Sequence, residues 1–113
     1  MSAASPMSKP YSFIPDLLAE APIPARGILS QTLSDDGGVR LVIFAFATGE
    51  ELSEHTSARP AIIHVLSGTA DMTVDGDRFD AVAGSWVRMA PNTRHSLLAT
   101  SPLVIALYLL PPG

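Results

Sequence analysis

Three histidines are the side chains of this 113-residue chain with the most readily usable chemistry near neutral pH. They stand at positions 55, 64 and 95. Histidine titrates near about pH 6.5 and is the commonest ligand of transition metals, so His55, His64 and His95 are candidates for metal binding or proton transfer. A single histidine in a β protein nevertheless more often packs or lies on the surface than binds a metal. Spacing alone does not decide between these roles.

Several other kinds of chemistry are excluded. The chain has no cysteine, so it can form no disulfide and no thiolate metal site, and it has no cysteine nucleophile. It contains no Gly-x-Ser-x-Gly sequence that would expose a serine nucleophile. The acidic residues between positions 71 and 80 lack the spacing of a calcium-binding loop. The formal net charge of -4 supplies no basic field, so we expect no nucleic-acid partner.

The elements that position the histidines are predicted to be β-strands. From residue 26 onward, short runs rich in Val, Ile, Leu, Thr and Phe alternate with turn residues, which is typical of an all-β sandwich or barrel. Runs such as residues 41–46 are apolar at successive positions, so both of their faces need cover from a second layer or a second subunit. The predicted strands are 27–33, 39–47, 61–66, 69–74, 78–82, 86–90, 95–100 and 103–110.

The chain divides into two predicted regions, a proline-rich N-terminal arm over residues 1–25 and one barrel over residues 26–113. Prolines at five of the first 24 positions exclude a long helix from the arm. The longest apolar run is too short for a membrane helix, so we expect no membrane partner. The N-terminus lacks the pattern of a secretory signal and cysteine is absent, so we expect a cytoplasmic protein.

Two spaced patterns surround the first and last histidines. In one, Gly49 precedes His55 by six positions and Gly68 follows it, and in the other Gly84 precedes His95 by eleven positions. These segments resemble the two signature motifs of the cupin superfamily, in particular its small single-domain bacterial members. The resemblance implies an antiparallel all-β fold, the cupin double-stranded β-helix, which is a jelly-roll barrel with an open mouth.

The resemblance also implies where a site would lie. Cupins that bind a metal use three histidines and a glutamate; here His55 and His95 stand at the first and last positions, with Ser57 and Ala61 at the other two. It therefore implies a pocket centred on His55 and His95 and lined by Ser57 and Ala61. The pocket would hold one divalent transition metal or no metal at all. His64 is expected on the opposite face from Ala61, because side chains alternate along a strand.

Two functions remain open from the sequence. In the first, His55 and His95 hold a divalent ion that acts on a small-molecule ligand. In the second, the same pocket binds or senses a small molecule without metal or catalysis. Ser57 and Ala61 favour this second function, because these small uncharged residues enlarge the position that the ion would take and leave it without charge. We also predict a homodimer, since strands apolar on both faces need cover and the arm could reach a neighbouring subunit.

Overall fold

The computed structural model describes residues 9–112, which are almost entirely β-structure and connecting turns. Residues 1–8, the start of the predicted arm, lie outside the described residues. One turn of 3-10 helix, Leu18–Glu20, precedes the strands in the described part of the chain. None of the helical structure in residues 9–112 is long and apolar enough to cross a membrane. The strands are β1 (Ile28–Asp36), β2 (Val39–Phe46), β3 (Glu51–His55), β4 (Ala61–Ser67), β5 (Thr69–Val74), β6 (Asp77–Val82), β7 (Trp86–Met89), β8 (His95–Ala99) and β9 (Leu103–Leu109).

The strands form two sheets that face each other. One sheet has five strands in the order β1-β2-β9-β4-β7, and the other has four in the order β3-β8-β5-β6. The strand pairs within residues 9–112 are antiparallel. The chain crosses between the sheets after β2, β3, β4, β6, β7 and β8, which produces a jelly roll rather than a set of simple hairpins. The predicted all-β, antiparallel jelly-roll fold is confirmed.

The main core lies between the two sheets, and strand alternation decides which side chains enter it. In β4, Ala61, Ile63 and Val65 are buried, whereas Ile62 and His64 lie on the other face and are half-buried. Side chains from both sheets complete the core, among them Phe46, Met72, Leu97, Leu103 and Ile105. Each fully buried large apolar side chain stabilises the fold by about 1.5–3 kcal/mol relative to its exposed state.

A second, smaller core covers the outer face of the five-stranded sheet. Its buried strand residues are Leu41, Ile43, Ala45, Val104 and Ala106. The arm supplies part of the cover, because Ala21 is buried in this cluster and Ile14 and Leu17 pack against it. The strands that are apolar on both faces are therefore covered partly by the chain's own arm.

β3 is a strand that the sequence pattern does not predict. It is an edge strand with mostly exposed polar residues, so it lacks the apolar run by which the other strands are recognised. A bulge interrupts its pairing with β8 between Leu52 and His55. In a regular strand, side chains three positions apart point to opposite faces of the sheet. The bulge adds one residue between Leu52 and His55, so these two side chains lie on the same face. Leu52 packs on the core from that face.

Candidate functional site

His55 and His95 form a pair at one end of the barrel. They are direct cross-strand partners of β3 and β8, and their ring centroids lie 4.2 Å apart with the ring planes tilted by 57°. His95 is 8% exposed, whereas His55 is exposed to solvent. The structure thus brings together the two histidines that the sequence motifs single out, one against the core and one at the surface.

Each imidazole is held by a backbone carbonyl two residues before it. Nδ1 of His55 lies 2.8 Å from the oxygen of Ser53, and Nδ1 of His95 lies 2.9 Å from the oxygen of Thr93. A carbonyl oxygen can only accept a hydrogen bond, so each Nδ1 donates its hydrogen. In the neutral rings the lone pair is then on Nε2. Sequence inspection misses these partners, because any residue type can supply a carbonyl oxygen.

Burial lowers the pKa of His95 below its ordinary value. The hydrogen bond to the Thr93 carbonyl opposes this effect, and the charge of the neighbouring His55 lowers the pKa further. The environment of His95 therefore favours the neutral imidazole, whose Nε2 is an acceptor. This protonation state suits a hydrogen-bond donor on a ligand, and it also suits a metal ion.

The two loops beside the pair are tied to each other. The backbone N–H of Asn92 donates to the carbonyl oxygen of Ser57 at 2.7 Å. Asn92 has a φ of +65°, and asparagine tolerates this left-handed conformation better than most residues. It stands where the cupin motif has a glycine, so the turn keeps its geometry despite the change of residue. The hydroxyl of Ser57 accepts the backbone N–H of Arg59 at 3.1 Å and so bonds within its own loop.

Ser57 and Ala61, at the other two positions of the expected metal-ligand set, contribute little to coordination. Ala61 is 2% exposed, belongs to the main core and has only a methyl side chain. Within residues 9–112, no three His, Cys, Asp or Glu side chains are grouped so that they could share an ion. Catalytic metal sites commonly use three protein ligands. The residues present fit two positions of a coordination sphere, but not the four-ligand set of a metal-binding cupin.

Two acidic residues close to His55 in sequence, Glu50 and Glu54, have other partners. Glu54 lies 3.9 Å from Arg94 in an exposed ion pair. Glu50 accepts the backbone N–H of Gly27 at 3.1 Å, which joins the residue before β3 to the residue before β1. These two carboxylates therefore hold neighbouring segments of the described chain together. The Glu54–Arg94 ion pair also places opposite charges side by side near the histidines.

His64 lies apart from the pair. It faces outward from β4, beside Trp86 of β7 and Ala106 of β9. This is the face opposite Ala61, as strand alternation predicts. His64 belongs to the outer surface of the five-stranded sheet and not to the barrel interior.

Comparison with protein families decides the membership of the chain. A family model described as a cupin domain matches residues 42–110, which include both histidines of the pair. The chain belongs to the cupin family. This cupin resembles a conserved protein of unknown function from Streptococcus pyogenes, at 26% identity and a TM-score of 0.79 over 100% of this chain and 97% of the other.

Other solved structures share the barrel. A cupin superfamily protein from Desulfitobacterium hafniense is 23% identical, with a TM-score of 0.79 over 94% of each chain. A cupin 2 conserved barrel domain protein from Leptotrichia buccalis is 25% identical, with a TM-score of 0.76 over 83% of this chain and 46% of the other. No curated protein matches the sequence of this cupin. These similarities establish the fold and leave the ligand to be inferred from the site.

Proposed function

We propose that this cupin binds a small polar molecule at the mouth of its barrel through Nε2 of His55 and Nε2 of His95. The supporting observation is that both Nδ1 atoms are bonded to backbone carbonyls, at 2.8 and 2.9 Å. Each ring then has Nε2 as its acceptor in the neutral form, so the pair can offer two neighbouring acceptors. A suitable ligand carries two adjacent O–H or N–H donors, such as neighbouring hydroxyls of a polyol.

The surroundings of the pair favour an uncharged ligand. Ala61 stands in the main core where a metal-binding cupin has a glutamate, so that carboxylate is missing. His95 is followed on the same face of β8 by the buried Leu97. A ligand would thus meet two imidazole nitrogens next to the apolar core, with no carboxylate at the position of Ala61.

A divalent transition metal is the second candidate occupant. A histidine whose Nδ1–H is bonded to a carbonyl while Nε2 stays free is the arrangement typical of metal-bound histidines. The ion would be held by His55 and His95, with water or ligand atoms in its other positions. Because the protein supplies two ligands and not the usual three, we rank this candidate below direct binding of a small molecule.

The tautomer of the two rings is the first quantity to measure. Long-range ¹H–¹⁵N spectra of the histidine side chains distinguish Nδ1–H from Nε2–H without any ligand. We expect the Nδ1–H form for His55 and His95 at pH 7.5. Observation of the Nε2–H form in both residues would remove the basis of the proposal.

A panel of polyols and sugars, and separately Zn²⁺, Ni²⁺ and Mn²⁺, is then titrated into untagged, chelator-treated protein and followed by calorimetry. We expect saturable binding of a panel compound that is lost in His55→Ala and in His95→Ala. His64→Ala is the matched control, because it removes an imidazole on the outer face, and it should bind normally. Binding that persists in the His55→Ala, His95→Ala double variant would contradict the proposed site. Tight metal binding without binding of a panel compound would favour the second candidate.

Homodimer formation stays a prediction. The arm already covers part of the outer sheet face within one chain, yet Phe13 and Trp86 remain exposed. Exposed large aromatic side chains often mark contact surfaces. Light scattering checks this prediction, and a mass near the 11.9 kDa of one chain at micromolar concentration would contradict it. A cytoplasmic location likewise stays a prediction, which cell fractionation would check.

A further inference from the structure

β1 leaves the backbone groups of one of its edges without a partner. It is an end strand of the five-stranded sheet, next to β2. Just before it, the carbonyl of Gly27 accepts the backbone N–H of Ala47 at 3.0 Å. Backbone groups alternate in direction along a strand, so those of Leu29 and Gln31 also point to β2. The residues whose N–H and C=O groups point away from the sheet are Ile28, Ser30 and Thr32. Within residues 9–112, no other segment bonds to this edge.

The other three edge strands in the described part of the chain carry features that oppose pairing with a further strand. β3 has a bulge and two glutamates, β6 has three charged residues, and β7 is only four residues long and contains an arginine. Charges, bulges and short length are the usual protection of sheet edges. β1 has neither a charged residue nor a proline over residues 28–34, and its bulge comes only after Thr32. Its first five residues are therefore open to pairing.

Apolar surface adjoins this edge on the outer face of the sheet. Leu29 and Gln31 lie on that face, because they pair with Ala45 and Ile43 of the outer core. Leu29 is 51% exposed, and Ile23 of the arm is 41% exposed. The groove between the arm and β1 is lined mostly by apolar side chains. A strand added at this edge would therefore cover apolar surface as well as pair with backbone groups.

We propose that β1 pairs with β1 of a second copy of this chain, in antiparallel orientation about a two-fold axis at Ser30. Bonded residues in an antiparallel pair stand directly opposite each other. An axis at Ser30 places Ile28 opposite Thr32 of the partner subunit, so all the free N–H and C=O groups of the edge find partners. Ile28 and Thr32 are β-branched, which suits cross-strand pairs. An axis at either of these two residues would pair fewer groups, because the strand begins at Ile28 and bulges after Thr32.

The edge is thus complementary to itself, which favours a second copy over a different protein. The inference rests on the homodimer predicted above and assigns its interface to β1, and not to the exposed Phe13 and Trp86. The two five-stranded sheets would join into one continuous sheet. The histidine pair lies on β3 and β8 of the other sheet, so this interface leaves it open to ligands.

A cross-link at the axis is easy to interpret, because the chain has no cysteine of its own. In Ser30→Cys, the two introduced residues face each other with Cα atoms about 5.5 Å apart, which a disulfide can span. Gln31→Cys is the matched control at the next exposed position, where the two Cα atoms would be about 8 Å apart, too far for a disulfide. We expect mild oxidation at micromolar concentration to link Ser30→Cys at least about tenfold faster than Gln31→Cys.

Ser30→Pro tests the backbone pairing itself. Proline has no N–H, and the N–H of Ser30 points away from β2, so the substitution removes no hydrogen bond within one chain. Asp80→Pro is the matched control. Counting from Val74 and Asp77, the bonded pair that closes the β5–β6 hairpin, the N–H of Asp80 points to the free edge of β6.

Sedimentation velocity measures the association of each variant. We expect the parent protein to have about twice the 11.9 kDa mass of one chain. Its dissociation constant should rise about tenfold or more in Ser30→Pro and stay unchanged in Asp80→Pro. Circular dichroism confirms that each variant keeps its strands. If Ser30→Pro loses them, the cross-linking comparison decides alone.

The outcomes separate this interface from the homodimer prediction on which it rests. Faster cross-linking of Ser30→Cys together with weaker association of Ser30→Pro supports the β1 interface. A monomeric parent protein would overturn both the interface and the homodimer. A dimer that cross-links equally at both positions, or that tolerates Ser30→Pro, would overturn the β1 interface alone. Loss of that dimer in Trp86→Ser would then place its interface on the aromatic surface.

Discussion

Gly68 connects β4 to β5 at a point where a side chain has no room. Its φ is +87°, and a Cβ built on it would overlap the carbonyl oxygen of Pro102 and lie 3.0 Å from the Cα of Leu103. These are backbone atoms, which cannot turn aside as the end of a flexible side chain can. Gly68→Ala therefore requires the connection between β8 and β9 to move.

Gly49 separates this steric effect from the effect of the backbone angle. Its φ is +88°, and a Cβ there would meet no atom within 4 Å. The left-handed conformation costs an L-residue about 1–2 kcal/mol, which applies to both glycines. Overlap with packed backbone adds about 1–3 kcal/mol at Gly68 alone. We expect Gly68→Ala to lower the free energy of unfolding by about 2–5 kcal/mol and Gly49→Ala by about 1–2 kcal/mol.

Urea denaturation followed by circular dichroism measures both free energies of unfolding. The difference between the two variants is the informative quantity, since the smaller entropy of the unfolded chain after Gly→Ala affects both alike. A difference of about 1–3 kcal/mol supports the close approach of Gly68 to Pro102. Equal losses in the two variants would refute it and would show that the connection between β8 and β9 moves freely.

The remaining predictions concern pH and two anchoring contacts. Burial lowers the pKa of His95 in the folded protein. The stability that the neutral His95 contributes is therefore complete above about pH 6.5 and is lost as the pH falls from there. We expect the free energies of unfolding at pH 7.5 and pH 5.5 to differ less in His95→Asn than in the parent protein. Arg59 donates to the carbonyl oxygens of Gly38 and Leu110, so Arg59→Ala should lower the free energy of unfolding by about 1–3 kcal/mol in urea, with only part of the loss recovered in Arg59→Lys. Leu17→Ala should cost about 1–2 kcal/mol, because Leu17 packs on the outer core; an unchanged thermal midpoint would show that the arm does not stabilise the barrel.

Local patterns in the sequence are sufficient to predict much of the barrel. The alternation in β4 predicts that Ala61 is buried and that His64 faces outward, because the direction of side chains along a strand has a period of two residues. Glycines at motif spacing mark turns that need a positive φ, as at Gly68 and Gly84. These features depend on residues next to one another in the chain, so they can be recognised without the tertiary structure.

The details of the site depend on contacts between distant segments. β3 is polar because it is an edge strand, and only its pairing with β8 shows that a bulge brings His55 beside His95. The carbonyl partners that set the tautomers of both rings have no sequence signal. Likewise, Phe79 lies on the inner face of its sheet, yet it stays exposed because no strand joins β6 to β7. Sequence periodicity determines which face a residue occupies, whereas only the three-dimensional arrangement of the strands decides which neighbours that face meets.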